Sequence, residues 1–257
     1  MGENKKVGVK YPGKKAVVTG GTHGMGLAVV RALLDGGAEV LLTGRDVSSL
    51  HGKLPGKAHL LSSDAARLSD IDALGDVAAA TLGELDLVFV NVGFATLTPY
   101  EVATPEVYDR TFDVNTKGAY FTAQRLAGLV RPGGSFVFTT SVAAEAGIAG
   151  MGPYSAAKAA VRSFARTYAA ELAPRGIRVN VVSPGYTDTP TMGVTGVPSE
   201  VLAAFKATGD EVTPLKRHAT PEEVATAVLF LAFDATFTTG ADLPVDGGLG
   251  QRLTLPA

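Results

Sequence analysis

The 257-residue chain contains no cysteine and no tryptophan. The missing cysteine excludes disulfide frameworks, thiolate zinc sites, iron–sulfur clusters and cysteine nucleophiles together, and it fits a reducing compartment. Long apolar runs are also missing. The longest candidate, Leu87–Ala95, is broken by Asn91 and Gly93, far short of the ~18 residues that suggest a membrane span. No apolar segment follows the charges of Met1-Gly2-Glu3-Asn4-Lys5-Lys6, and Lys6 stands where a myristoylation signal carries Ser or Thr. A soluble cytoplasmic protein without a membrane partner is expected. Four His without helical ligand spacing give no reason to expect a metal. An excess of positive charge is lacking too: 23 Lys and Arg against 25 Asp and Glu leave a formal charge of −2, so a broad nucleic-acid surface is not expected.

What the chain does have is 31 Gly and a 46% hydrophobic composition, enough for a sizeable core. After a polar arm over residues 1–13, which ends in the turn pair Pro12-Gly13, β-branched runs alternate with helical patterns. Ala16–Thr19, Glu39–Thr43, Ala58–Ser62, Leu85–Asn91, Ser135–Thr140, Ile177–Val182 and Ala241–Val245 read as strands. Most are apolar at successive positions, as strands covered on both faces are. Gly24–Asp35, Asp70–Thr81, Pro105–Val130 and Tyr154–Leu172 read as helices, and Thr220-Pro221-Glu222-Glu223 opens another. Ser69 precedes its helix, Thr104-Pro105 forms a cap with a first-turn Pro, and Arg131-Pro132-Gly133-Gly134 is a stop. The alternation predicts one α/β domain over residues 1–257, a doubly wound parallel sheet of Rossmann type with helices on both faces.

Thr19-Gly20-Gly21-Thr22-His23-Gly24-Met25-Gly26 joins the first strand to the first helix. Glycines there permit a tight turn and the approach of a pyrophosphate to a helix N-terminus. The Lys-Ser/Thr of a Walker loop is absent, since Leu27-Ala28 follows Gly26. An ordinary flexible loop is the alternative. At the end of the second strand, Gly44 occupies the place of a ribose-binding acid and Arg45 follows it. A guanidinium fork there suits a 2′-phosphate, with His23 as a further donor, and favours NADP(H). NAD(H) remains open if Arg45 is a surface residue and Asp46 holds the ribose.

Tyr154 and Lys158, four apart, share a helix face. A neighbouring ammonium favours the phenolate and is expected to pull the Tyr154 pKa down, making it a general acid or base for a carbonyl or alcohol oxygen. Such a pair also arises by chance on exposed helices. Ser141 follows an apolar strand at its carboxyl end, where sites of open α/β sheets form. Asn115 lies inside a long helical pattern, where it marks a bend or a water site.

Taken together and in order, these motifs resemble the short-chain dehydrogenase/reductase family, from Lys14 to about Gly248. The motifs are the Thr19–Gly26 turn, Asp64, Asn91-Val92-Gly93, Asn115, Ser141, Tyr154 with Lys158, Pro184-Gly185, and Val245-Asp246-Gly247-Gly248. The resemblance implies a catalytic set of Asn115, Ser141, Tyr154 and Lys158. Ser141 would orient a substrate carbonyl, Tyr154 would exchange its proton, and Lys158 would hold the nicotinamide ribose and lower the Tyr pKa. Asn115 would bind a relay water through its backbone. The implied cofactor residues are Gly20, Thr22, His23, Gly24, Met25 and Gly26 of the turn, Arg45, and Asp64 with Ala65 at the adenine. They continue with Asn91, Gly93, Tyr154, Lys158, Pro184, Gly185, and Thr187 at the carboxamide.

The family usually has Asn-Asn-Ala-Gly where this chain has Val90-Asn91-Val92-Gly93, so altered packing is expected there, with activity kept. The stretch from Tyr186 to about Thr213 is expected to cover the substrate. Tyr186, Met192, Val194, Val197, Leu202 and Phe205 would face Phe94, Ile148 and Met151 and enclose a mainly apolar ketone or alcohol. Equally, they could serve to pack the cover onto the body. The Ala-rich Tyr154–Leu172 helix and the one with Asn115 resemble the family's subunit interface, implying a homotetramer. Close packing inside the subunit is the alternative. Related enoyl reductases place six residues between Tyr and Lys, where this chain has Val161, which argues against enoyl reduction. No G-x-S-x-G elbow supports a serine hydrolase. A non-catalytic dinucleotide-binding protein would have no need to keep Ser141, Tyr154 and Lys158 together.

Overall fold

The computed structural model describes residues 10–190, 192, 194, 198–251 and 253. Residues 1–9 of the polar arm lie outside the described residues. Seven parallel strands form one sheet in the order β3-β2-β1-β4-β5-β6-β7. They are β1 (Lys15–Val18), β2 (Glu39–Gly44), β3 (Ala58–Ser62), β4 (Leu85–Val90), β5 (Val130–Thr139), β6 (Arg178–Pro184) and β7 (Asp242–Val245). The strand order reverses between β1 and β4, and the crevice outside their carboxyl ends is where such sheets bind ligands.

Successive residues of each strand enter different cores, which explains their unbroken apolar runs. Val18, Leu42, Phe89 and Val137 face one side, packed against α1 (Gly24–Asp35) and α7 (Pro221–Leu229). Val17, Leu41, Val88, Phe136 and Phe138 face the other, beneath α2 (Leu68–Thr81), α4 (Gly118–Ala127) and α5 (Gly152–Leu172). Thr220 and Glu223 form a complete capping box at the start of α7. No helix among the described residues is long and apolar enough to cross a membrane.

Several local expectations need correction. The pattern over Pro105–Val130 is two helices, α3 (Pro105–Phe112) and α4, joined by a π-helical turn over Asp113–Lys117. That wider turn carries Asn115 and leaves the Thr111 carbonyl for its side chain. Thr104 caps α3 by accepting from Val107 N. Arg131–Gly134 is not a plain stop. β5 already pairs at Val130 with Leu85, and the register with β4 shifts before Ser135 meets Leu87. α2 starts at Leu68, so Ser69 lies inside it, while the capping position, Arg67, makes no side-chain cap. The cover contains a helix, α6 (Ser199–Val212), which is not among the helices read from the sequence.

Candidate active site

A cavity of about 600 Å³ opens at the carboxyl ends of the strands. The loop after β1 contributes Gly20, Thr22, His23, Gly24 and Met25, and the loop after β2 contributes Gly44, Arg45 and Asp46. Asp64 and Ala65 follow β3; Asn91, Gly93 and Phe94 follow β4. Ser141 follows β5, Pro184, Gly185 and Thr187 come from the end of β6, and α5 supplies Tyr154 and Lys158. The fold thus gathers residues separated by most of the chain into one crevice.

Two of the sequence-predicted residues stand behind the wall. Gly26 is buried, and a Cβ there would lie 2.1 Å from the Gly20 carbonyl oxygen. Its missing side chain lets α1 press on the turn. Asn115, fully buried, is a clamp on the strand loop. Its Oδ1 accepts from Phe94 N at 3.1 Å, while Nδ2 donates to the Phe94 carbonyl at 2.7 Å and the Thr111 carbonyl at 2.9 Å. Gly93, next to that clamp, packs beside the Lys158 ammonium.

The glycine turn has a backbone shape into which a phosphate could fit. Gly20 and Gly24 have φ of +64° and +53°, a backbone region that glycine enters without penalty. α1 begins there with no acidic residue in its first turn, so its free N–H groups and positive dipole end face the cavity. A Cβ on Gly44 would lie 2.5 Å from Thr22 Cγ2, which leaves no room for an acid beside this Thr. Arg45 is exposed at that end of the cavity. The Asp46 carboxylate is turned back to accept Ser48 N at 2.8 Å, and bonds to Ser48 hold its pKa below the usual value. These residues fit a nicotinamide dinucleotide, with the cradle at one end and Tyr154 at the other.

Val90 joins the apolar core. Asn91 braces the turn, its side chain donating to the Gly20 carbonyl at 3.3 Å and accepting from Thr139 Oγ1 at 3.0 Å, and its backbone N–H donating to Thr19 Oγ1 at 2.9 Å.

At the other end, the Lys158 ammonium is 2% exposed and donates to the Thr139 carbonyl at 3.0 Å. Burial lowers its pKa to about 8. It lies 5.8 Å from the centre of the Tyr154 ring. The expected downward pull on Tyr154 is not what the protein alone produces. Burial pushes the phenol pKa up, with the Ser141 hydroxyl opposing the shift. Desolvation of the phenolate outweighs the Ser141 hydrogen bond. Ser141 caps the short turn Val142–Ala144, accepting from Ala143 N at 3.1 Å.

Over this end lies the cover. Tyr186, Met192 and Phe205 line the cavity opposite Phe94, Ile148 and Met151. Val194 pairs with Ala95 and is buried beside Met151, so it packs the cover onto the body. Leu202 is partly buried outside the cavity lining, and Val197 lies outside the described residues. α6 is tied down by Lys206 on Asp188 at 2.6 Å and by Gly209, where a Cβ would come within 2.6 Å of the Tyr186 ring. Gly118 was missed from sequence. A Cβ there would lie 2.3 Å from the Ala65 carbonyl oxygen, so its absence lets α4 support the loop after β3. No cluster of three metal-ligating side chains occurs among the described residues.

The chain is similar to known proteins over nearly its whole length. A family profile described as enoyl-(acyl carrier protein) reductase matches residues 20–250. The oxidoreductase asL5 of Sarocladium schorii is 36% identical over 248 residues, covering 94% of this chain and 98% of that protein. A cis-4-hydroxycyclohexanecarboxylate dehydrogenase of Sinomonas cyclohexanicum is 36% identical over 251 residues, with 94% and 98% covered. The crystal structure of a short-chain type dehydrogenase/reductase from Mycobacterium marinum superposes with a TM-score of 0.85 at 29% identity, covering 94% of this chain and 97% of that one.

Proposed function

The chain belongs to the short-chain dehydrogenase/reductase family, and from that premise we propose an NADP(H)-dependent reductase that interconverts a ketone and a secondary alcohol on a mainly apolar, ring-bearing substrate. It is an oxidoreductase of the alcohol/ketone type; the cofactor, the residue roles and the substrate shape are our inference. The observation that carries it is the grouping of Ser141, Tyr154 and Lys158 at one end of a cavity whose other end is a glycine cradle.

When bound, the dinucleotide supplies or accepts the hydride. Ser141 donates a hydrogen bond to the carbonyl oxygen and orients it. Tyr154 gives that oxygen its proton as negative charge develops, and its raised pKa keeps the phenol protonated at neutral pH, ready for reduction. Lys158, positioned by the Thr139 carbonyl, holds ribose hydroxyls and stabilises the phenolate left behind. Asn115 acts through the Phe94 backbone, holding the strand loop against α3, and its backbone is the place for a relay water. The apolar cover excludes bulk water.

Arg45 and the side-chain-free Gly44 support NADP(H) over NAD(H), as does an Asp46 carboxylate already engaged by Ser48. The Sinomonas relative, named for a ring alcohol, supports a cyclic substrate, as do Phe94, Met151, Tyr186 and Phe205 around the cavity. The description of the matching family profile favours a second reading, enoyl reduction. Against it, the position seven beyond Tyr154 is Val161, 1% exposed in the apolar core. We further infer a cytoplasmic homotetramer joined through α4 and α5. The exposed edge of Tyr120, packed on Phe164 and Tyr168, supports that face, while Ala157, Ala165 and Ala169 turn inward to the core.

Absorbance at 340 nm, with NADPH or NADH against cyclohexanone, an acyclic ketone and a 2-enoyl thioester, tests the assignment. The expected pattern is ketone reduction, faster with NADPH. Turnover of the enoyl thioester alone would replace it with the second reading.

A further inference from the structure

Ser141 and Tyr154 sit on different elements, yet both must reach one carbonyl oxygen. Their relative placement is therefore a property of how β5 is fixed to α5. Thr140, directly before Ser141, lies 2.6 Å from Ser183 Oγ at the end of β6, and both residues are buried. Ser183 Oγ lies 2.6 Å from Asp242 Oδ1 at the start of β7. An ionised carboxylate only accepts, so the Ser183 proton goes to Asp242 and the Thr140 proton goes to Ser183. Asp242 Oδ2 is ion-paired with Arg162 Nε at 3.0 Å, a charge contact whose angle is not that of a hydrogen bond, the two side chains being 15% and 23% exposed. Arg162 stands on α5, two four-residue steps beyond Tyr154 and one beyond Lys158. Its guanidinium also meets Glu145, in the segment that follows Ser141.

Both flanks of Ser141 are thus tied to the helix that carries Tyr154. The Glu145 contact is exposed and adds little. The Asp242 contact is mostly buried and sets the direction of every hydrogen bond in the chain back to Thr140. We propose that Arg162 and Asp242 are positioning residues that hold the Ser141 hydroxyl in register with the Tyr154 phenol. The kinetic part of this proposal rests on the ketone-reductase function; the structural part does not.

Asp242→Asn, Arg162→Met and Arg162→Lys, each made in the native chain and in a Ser141→Ala background, test it. Small misplacements of reacting groups are costly, so Asp242→Asn and Arg162→Met should each lower kcat for cyclohexanone about tenfold or more, while the NADPH Kd, read by fluorescence, stays unchanged. Arg162→Lys, which keeps the charge, should recover most of the rate. Because the pair acts through Ser141, the same changes should cost less than about twofold in the Ser141→Ala background. Amide hydrogen exchange of residues 140–150 should accelerate in Arg162→Met, with residues 15–26 unchanged. Equal losses in both backgrounds, or unchanged exchange over 140–150, would overturn the proposal. If the native protein reduces no ketone, the functional assignment fails, and the exchange result alone decides the positioning role.

Discussion

Replacing Asn115 by Ala removes one acceptor and two donor contacts in a place without solvent. The N–H and carbonyl of Phe94 and the carbonyl of Thr111 all lose their partner. A buried polar group left unpaired costs about 1–3 kcal/mol. Some relaxation of the Phe94 loop toward water brings the total to about 3–5 kcal/mol, a large part of a typical domain's stability. For a chain of this size, each kcal/mol moves Tm by roughly 2–4 °C, so a fall of roughly 6–20 °C is expected. The assay is thermal unfolding of the cofactor-free protein at one fixed concentration, so that any assembly equilibrium is held constant. Asn115→Asp is a sharper companion. It keeps the acceptor for Phe94 N, loses both donors and buries a charge, so it should be no more stable than Asn115→Ala. A Tm change of less than about 2 °C in Asn115→Ala would show that the clamp contributes nothing and refute the reasoning.

Lys158→Met should abolish turnover yet leave the cofactor-free protein as stable at pH 7 or more so. Burial takes the Lys158 pKa from 10.5 to about 8, worth about 3 kcal/mol against the charged form, and the lost hydrogen bond to Thr139 offsets part of the gain. The unfolded chain binds more protons between those two pKa values, so native stability rises with pH through that window. The advantage of Lys158→Met, followed by denaturant titration from pH 7 to 10.5, should shrink accordingly; a constant advantage would contradict the burial argument. Arg45→Gln should weaken NADPH about tenfold, as loss of a charged phosphate contact does, and leave NADH binding unchanged. Equal weakening of both cofactors in a fluorescence titration would remove Arg45 from the 2′-phosphate.

The positions of the strands and the doubly wound class were legible because apolar strands and capped helices announce themselves locally. Boundaries were less so. The π-helical turn at Asp113–Lys117 has no sequence mark beyond the unusual Asn115, and the shift of β5 at Arg131–Gly134 looks like an ordinary turn. Helix α6 escaped notice because its inward stripe is sparse. Leu202 and Phe205 are followed by Gly209, whose contact with the cover depends on having no side chain. The residues of the crevice were readable because phosphate cradles and Tyr-Lys pairs have fixed local spacing. Arg162, Ser183 and Asp242 were not, since each is an ordinary polar residue until the sheet brings three strands and α5 together. The pKa of Tyr154 was misjudged for the same kind of reason. Spacing puts Lys158 on the same face, but burial of the phenol decides the balance.

The central claim is that Tyr154 delivers the proton to a carbonyl oxygen in a nicotinamide-dependent reduction. Its most direct test is NADPH oxidation at 340 nm with cyclohexanone at pH 7, comparing the native protein with Tyr154→Phe after NADPH binding has been verified in both. Loss of a positioned general acid is expected to lower kcat by roughly 10²–10⁴-fold at saturating NADPH. Reduction by Tyr154→Phe at the native rate would contradict the claim.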